Sequence, residues 1–476
     1  MLTFDELTPP ERELWHAFPE GRRVDLGGAG SVRAEVITAL LLGVNPPVPG
    51  AVAGVRLAGA RITGTLDLAG AETAHRLNLV ECVLEREVVL HSAATASLQF
   101  KKCRLPGIDA TTARVSGTFY LKGTVFEGGR LNLNNARIAG ELLLNGASFD
   151  RPGDWAVYAG GVEVQGGVFG RDGFTVRGGV RFAGARLHGG LFLEGARLSW
   201  PGGTALYMIN ATASTVVLDQ GFAAEGDVAL PGAQIQDLLT FDGADLAACP
   251  QVLLPRLHAV DLRFTPAVPP ADAVDLSGTQ VTVLHDTAAG WPERVRLEGL
   301  AYGTLRGRDG GDVPWRIGWL ARDPVYSPQP YEQLAECYRR AGHDDDARRV
   351  LLARRRRQAA TLGPAGRIWS RLLDVTVGHG YRPWLAGLWL AALCLAGSVV
   401  FAVSGREHAV KPGEGPPFHP FVYTLDLLIP IGGLGQRTAW YVEGGFAGVL
   451  SYVLIALGWV LTTTVVAGLS RVLGRN

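Results

Sequence analysis

The stretch Val55-Arg-Leu-Ala-Gly-Ala-Arg-Ile-Thr-Gly-Thr-Leu-Asp-Leu-Ala-Gly-Ala71 carries the pattern that organises most of the chain. Val55 and Leu57 stand two apart, as do Leu66 and Leu68, so each pair points to one face of an extended strand. A small residue, Ala60 or Ala71, follows three positions later, where a larger side chain would collide with a turning backbone. The pattern returns about every eleven residues. It recurs at Leu77/Leu79/Cys82/Leu84, Val88/Leu90/Ala93, Leu98/Phe100/Cys103/Leu105, Phe119/Leu121/Thr124/Phe126, Leu131/Leu133/Ala136/Ile138, Leu142/Leu144/Ala147/Phe149 and Leu191/Leu193/Ala196/Leu198, and remains readable to Leu297. One unit cannot bury its own apolar face, whereas stacked units build a continuous core, so the expectation is a β-solenoid. Two units make a coil of about 22 residues with four short sides. Roughly eleven coils at a strand spacing of about 4.8 Å give a rod on the order of 50 Å long.

These residues resemble the pentapeptide-repeat family, and Val55–Ala71 carries the likeness best. The resemblance implies a mainly β, right-handed, four-sided solenoid. The period here is eleven rather than a strict five.

Bulk composition narrows the function classes. Lys plus Arg and Asp plus Glu both total 45 in 476 residues, so no net field points to nucleic acid. The 63 glycines suit a turn-dense β fold. Five scattered cysteines, at 82, 103, 249, 337 and 394, contain no C-x-x-C pair, which fits a reducing compartment. Gly27-Gly-Ala-Gly30 precedes a helical pattern, but a dinucleotide loop starting at Gly28 would need glycine where Arg33 stands. Phosphate-loop, metalloprotease-helix and nucleophile-elbow motifs are missing, so no catalytic, cofactor or metal residue is assigned. The N-terminus shows no cleavable signal peptide.

The pattern divides the chain into four parts. Residues 1–50 form a helical cap, with Ser31 as N-cap and Gly43 as the stop of a helix carrying Val32, Val36, Ile37, Leu40 and Leu41. Residues 51–305 are the solenoid, with loops bulging near Arg151–Asp154, Trp200–Thr204 and Ala248–Pro255. Residues 306–382 hold a helical hairpin, YEQLAECYRRAGHDDDARRVL, similar to one tetratricopeptide unit, and a basic juxtamembrane segment. Residues 383–476 form a membrane domain.

Trp384–Val403 and Phe446–Leu469 are uncharged runs long enough to cross a bilayer as helices (spans about 384–403 and 446–469). Arg354–Arg357, Arg367, Arg371 and Arg382 precede the first span and Arg471 and Arg475 follow the second, against Arg406, Lys411 and Arg437 between them. Positive-inside counting therefore places solenoid and C-terminus in the cytoplasm, as a multi-pass protein of the cell membrane. Arg354, Arg355, Arg356 and Arg357 are expected at anionic lipid headgroups, at about 1 kcal/mol per charge at best. Between the spans, about 418–435 is too short to cross and too apolar for an ordinary loop. It reads as a re-entrant or interfacial element with Tyr423, Asp426, Pro430, Gly432, Gly433 and Gly435 as its candidate residues. Span, short helix, glycine turn, span resembles the pore-loop layout of potassium-type channels, although Pro430-Ile-Gly-Gly-Leu-Gly departs from that family's filter.

The whole chain also resembles a family of actinobacterial membrane proteins. The likeness rests on the Ser31–Val36 helix, the solenoid, the YEQLA…AGHDDDARRVL hairpin, the GYRPWLAGLWL span entry and the LDLLIP loop. Members are often labelled membrane-associated oxidoreductases, so the resemblance implies a redox activity for which no cofactor motif is visible. From the residues, the leading expectation is a non-enzymatic cytoplasmic scaffold whose partners are membrane lipids and a protein or its own copies. A pore-loop channel and the family's oxidoreductase are the alternatives.

Overall fold

The computed structural model describes residues 4–307, 312–360, 383–404, 407–411, 416–429, 433–442 and 444–473. The chain forms two compact units, Met1–Cys337 and Tyr338–Asn476.

The first unit is a parallel β-solenoid of about 11 turns. Among the described residues its 33 strands make one continuous sheet, most of them two to five residues long. Successive coils stack in register: Leu57 lies beside Leu79, Leu79 beside Phe100, and Phe119 beside Leu142. Each alternating pair sends its apolar members inward, and Leu57, Leu79, Phe100, Leu121 and Leu144 are at most 1% exposed. The corner after each pair is a turn in which the third residue takes a left-handed conformation. Leu68 O accepts from Ala71 N at 3.0 Å with Gly70 at φ 63°, and Leu133 O accepts from Ala136 N at 3.0 Å with Asn135 at φ 55°. Such a turn demands φ > 0, which explains the recurrence of glycine or asparagine just before the small buried residue.

The cysteines at these corners are structural. Cys82 Sγ donates to Leu57 O and Cys103 Sγ to Leu79 O, at 3.6 and 3.4 Å. Cys249 is fully buried, and burial pushes its thiol up to about 12. A thiol held that far from ionisation is a poor nucleophile.

The first rung begins earlier than the sequence predicts. Strand β1 (Val24–Arg33) pairs in parallel with β2 (Gly54–Thr63), and Ser31 sits inside it opposite Arg61. Ser31 is therefore not a helix cap; helix α2 (Ala34–Leu41) starts three residues later, with Arg33 at its N-cap. Stacking against the next coil outweighs the capping preference of serine. Gly27 and Gly28 both have positive φ where the β1–β2 register shifts, so this glycine cluster is a bulge.

Helix α1 (Pro9–Ala17) joins this end through one buried carboxylate. Glu11, 1% exposed, takes two bonds from the Arg33 guanidinium (2.8 and 2.9 Å) and one each from the Thr8 and Arg33 backbone N–H groups (2.9 Å each). Burial alone would raise its carboxyl, but the Arg33 side chain and these N–H groups outweigh it and hold the group at about 2, against an ordinary 4.5. A depressed carboxylate stabilises the fold fully above its unfolded value and loses that contribution as pH falls through the folded value. Docking of α1 is therefore expected to weaken between about pH 4.5 and pH 2. Limited proteolysis of the first twenty residues against pH checks this, and Glu11→Gln should abolish the pH step.

At the far end, helices α3 (Val313–Ala321) and α4 (Gln329–Arg340) cover the last coil. Polar groups of α4 and of the turn before it complete its open edge: Asp323, between the two helices, accepts from Leu297 N (2.9 Å), Gln329 accepts from Gly299 N and donates to Leu300 O (both 2.9 Å), and Gln333 donates to Tyr302 O (2.6 Å). An exposed strand edge is a template for aggregation, and these side chains remove it.

In the second unit, helix α5 (Asp344–Ala360) follows a turn with Gly342 at φ 80°. Asp345 and Asp346 pair with Arg348 and Arg349 one turn on, at 3.2 and 3.4 Å. Helices α6 (Pro383–Ser404) and α9 (Gly445–Leu473) match the two expected spans, and each is long and apolar enough to cross a membrane. Between them lie α7 (Pro420–Leu428), the four-residue α8 (Gln436–Ala439), and a two-stranded antiparallel ribbon pairing Glu407–Ala409 with Trp440–Val442.

Candidate functional site

Two regions carry the residues singled out above: the inter-span element and the outward faces of the solenoid.

Helix α7 packs between the two long helices. Phe401, Tyr423, Leu427, Leu428 and Leu454 form the shared core, with Tyr423 edge-on to Phe401 at 5.1 Å and tilted against Phe418 at 5.3 Å. Small residues permit the approach. A Cβ on Gly458 would lie 2.2 Å from Leu428 O, and one on Gly397 would lie 2.5 Å from Thr424 Cγ2. Asp426 is 3% exposed, and both its oxygens are engaged: Oδ1 accepts from Leu434 N at 2.8 Å and Oδ2 from Arg437 N at 2.7 Å. The carboxylate thus fastens the end of the glycine turn and the start of α8 onto α7. Gln436, also 3% exposed, donates to Pro417 O (2.8 Å) and accepts from His419 N (3.3 Å), binding the other side of the loop. Gly435 takes φ 82° at the N-cap of α8, and Gly433 is exposed. Pro430 and Gly432 lie outside the described residues. Of the candidate residues here, the structure joins Tyr423 to the α6–α7 core and uses Asp426 as a clasp.

The outer surfaces of α6 and α9 are apolar: Leu395 and Val399 are 64% exposed, and Phe446 and Tyr452 are 75% and 77% exposed. Such faces suit hydrocarbon rather than water. Arg354–Arg357 occupy successive positions on α5, about 100° apart around the helix, so they encircle it instead of forming one patch.

On the solenoid, shallow open troughs of about 640 and 620 Å3 run along two faces. Their charges pair with each other across rungs, Arg137 with Glu163 at 3.8 Å and Arg177 with Asp150 at 3.1 Å. Each such exposed pair contributes at most about 1 kcal/mol.

One outward feature was not anticipated from sequence. Strands Ser148–Tyr158 and Arg197–Tyr207 run long and shift register at Asp150/Trp155 and Ser199/Thr204, two of the positions where loops were expected. There Trp155 meets Trp200 edge-to-face at 4.9 Å and Tyr207 at 6.0 Å, all three half-buried. Gly179 lies beneath, and a Cβ there would sit 2.5 Å from both indoles. Asp154 takes bonds from Arg151 and Arg130 at 2.8 and 3.2 Å, which steadies the turn before Trp155. The hydrogen bond from Arg151 holds the Asp154 carboxyl below its ordinary value despite partial burial. The signal in the sequence was a tryptophan in each of two slips one coil apart from a Gly-Gly pair.

The chain matches no protein-family model, and comparison with the curated proteins and with the solved structures gives no match either.

Proposed function

We propose that this protein is a membrane-tethered β-solenoid that serves as a non-enzymatic interaction scaffold. In this reading the solenoid is right-handed and four-sided, of the pentapeptide-repeat type. Helices α6 and α9 cross the cell membrane, solenoid and C-terminus face the cytoplasm, and those of Arg354–Arg357 on the membrane side of α5 meet lipid headgroups. The observation that carries it is the aromatic shelf of Trp155, Trp200 and Tyr207. Partly exposed tryptophans on a rigid β surface supply large contact area at little entropic cost, and such residues dominate protein interfaces.

The test is cross-linking capture from native membranes with wild-type and Trp155→Ala/Trp200→Ala chains in parallel. A specific partner should be captured by the wild type and reduced at least about tenfold by the double variant. Equal capture by both, or a chain that is monomeric and partnerless, removes the reading. The alternative of a pore-loop channel makes a different demand. Bilayer reconstitution should then show a conductance that Asp426→Ala or Gly433→Ala alters.

A further inference from the structure

Along one face of the solenoid the second residue of each two-residue strand is apolar for five consecutive rungs, Tyr120, Leu143, Phe169, Phe192 and Val217, in register; the first four are partly exposed and Val217 is buried at 9%. Polar residues end the row on both sides, Gln99 before and Thr240 after. Phe169 and Phe192 stack at 4.9 Å with ring planes 5° apart, and Arg171 lies over both rings. Two residues further along the chain from each of these and from Gln99 and Thr240, mostly in the turn that follows the strand, runs a second row: Lys101, Lys122, Asn145, Arg171, Glu194, Asp219, Asp242. Its charge is basic in the early coils and acidic in the late ones. Arg171 and Glu194 neutralise each other at the centre, at 2.5 Å. Among the described residues Lys101 and Lys122 have no carboxylate partner. At the other end Asp219 lies between Glu194 and Asp242; burial first, then those two charges, push its carboxyl up, and Arg171 opposes them. Asp219 Oδ1 is buried without a hydrogen-bond partner.

We propose that this face pairs with the same face of a second copy of the chain. The pairing axis is a twofold lying in the face, along the strand direction, at the level of Phe169. That operation reverses rung order while keeping each row over itself. It sets Lys101 against Asp242 of the second copy, Lys122 against Asp219, and Asn145 against Glu194. In the apolar row Tyr120 meets Val217, Leu143 meets Phe192, and Phe169 meets itself. Arg171 also meets its own copy, but Glu194 already neutralises it. Parallel stacking would place lysine over lysine and aspartate over aspartate, so charge selects the antiparallel arrangement. The proposal rests on the reading of the solenoid as an interaction surface and names a second copy as the occupant of this face.

The experiment uses the full chain in its membrane on a Cys337→Ser background, because the other four cysteines, Cys82, Cys103, Cys249 and Cys394, are buried. Packed sheets lie about 10 Å apart, so a bis-maleimide of about that reach is the probe. Phe169→Cys should cross-link to itself. Tyr120→Cys, also partly exposed, should not, since its two copies would lie about 20 Å apart, whereas Leu143→Cys should cross-link to Phe192→Cys in a mixture of the two chains. Charge reversal gives a second readout. Lys101→Glu/Lys122→Glu and Asp219→Lys/Asp242→Lys should each lower Phe169→Cys cross-linking at least about tenfold. Mixing those two variants, or combining all four changes in one chain, should restore it. No cross-linking at Phe169→Cys, self-linking of Tyr120→Cys, or failure of the four-fold reversal to restore would overturn the pairing. If pairing fails while the Trp155/Trp200-dependent capture survives, the scaffold reading stands alone.

Discussion

Arg316→Ala is expected to cost about 3–5 kcal/mol and to unravel the C-terminal end of the solenoid. Arg316 and Asp286 form an ion pair whose side chains are 4% and 0% exposed. The pairing is two-pronged, at 2.5 and 2.7 Å, and Trp291 Nε1 adds a third bond to Asp286 Oδ2 at 2.9 Å. The guanidinium lies over the rings of Trp315 and Trp319, and Trp319 packs on Trp291, which packs on Phe264 in the core. Removing the cation leaves a carboxylate sealed from water with one neutral donor, the costly half of a broken buried pair. Asp286→Ala should be comparably severe. By contrast, Asp286→Leu combined with Arg316→Met should recover most of the loss, because a well-packed apolar pair needs no desolvation of charge. Urea unfolding of the full chain in detergent, followed by tryptophan fluorescence, separates these cases. If both single variants cost under about 1 kcal/mol, the pair is not what holds the cap.

Gly458→Ala is the second change with a large expected effect. The clash is with backbone: the new Cβ would lie 2.2 Å from Leu428 O and 2.8 Å from Leu428 C and Cα. No rotamer relieves it, so α7 must leave its seat against α9, at a cost of at least about 2 kcal/mol. Cys394, 5% exposed, shares an apolar groove with Leu425 and Leu428 of α7. Displacing α7 should open it. With Cys337→Ser as background, labelling by a membrane-permeant maleimide should be slow in the parent chain and fast in Gly458→Ala. Equal labelling would show that α7 tolerates the collision. Gly458→Ala should also loosen the loop that Asp426 fastens, since the clasp residue rides on the same helix.

The two predictions concern contacts of different origin from the repeat. The solenoid was readable because its information is local. Alternation of two, a left-handed residue, then a small residue recur within eleven positions, and every copy repeats the same instruction. The two long apolar helices were readable for a related reason: a helix fit to cross hydrocarbon needs one length and one composition. Ser31 misled because a serine before an apolar helical pattern reads as a cap, while the strand pairing that claims it lies thirty residues away at Arg61. The role of Asp426 was invisible too. Its type and setting drew attention, but its partners at Leu434 and Arg437 depend on how the glycine turn folds back.

Short-range chemistry thus wrote the stack, its corners and the two apolar helices into the chain in plain form. Which rungs bring Trp155 onto Trp200, which carboxylate accepts Arg316 and which glycine receives Leu428 were set by three-dimensional packing. The reason is physical: beyond the first rung, coil lengths vary from 20 residues between Val88 and Ile108 to 27 between Ser148 and Thr175. Neighbours across coils therefore follow from accumulated register, which no local pattern records. The division of one face into a basic and an acidic half emerges only when those rungs are laid side by side.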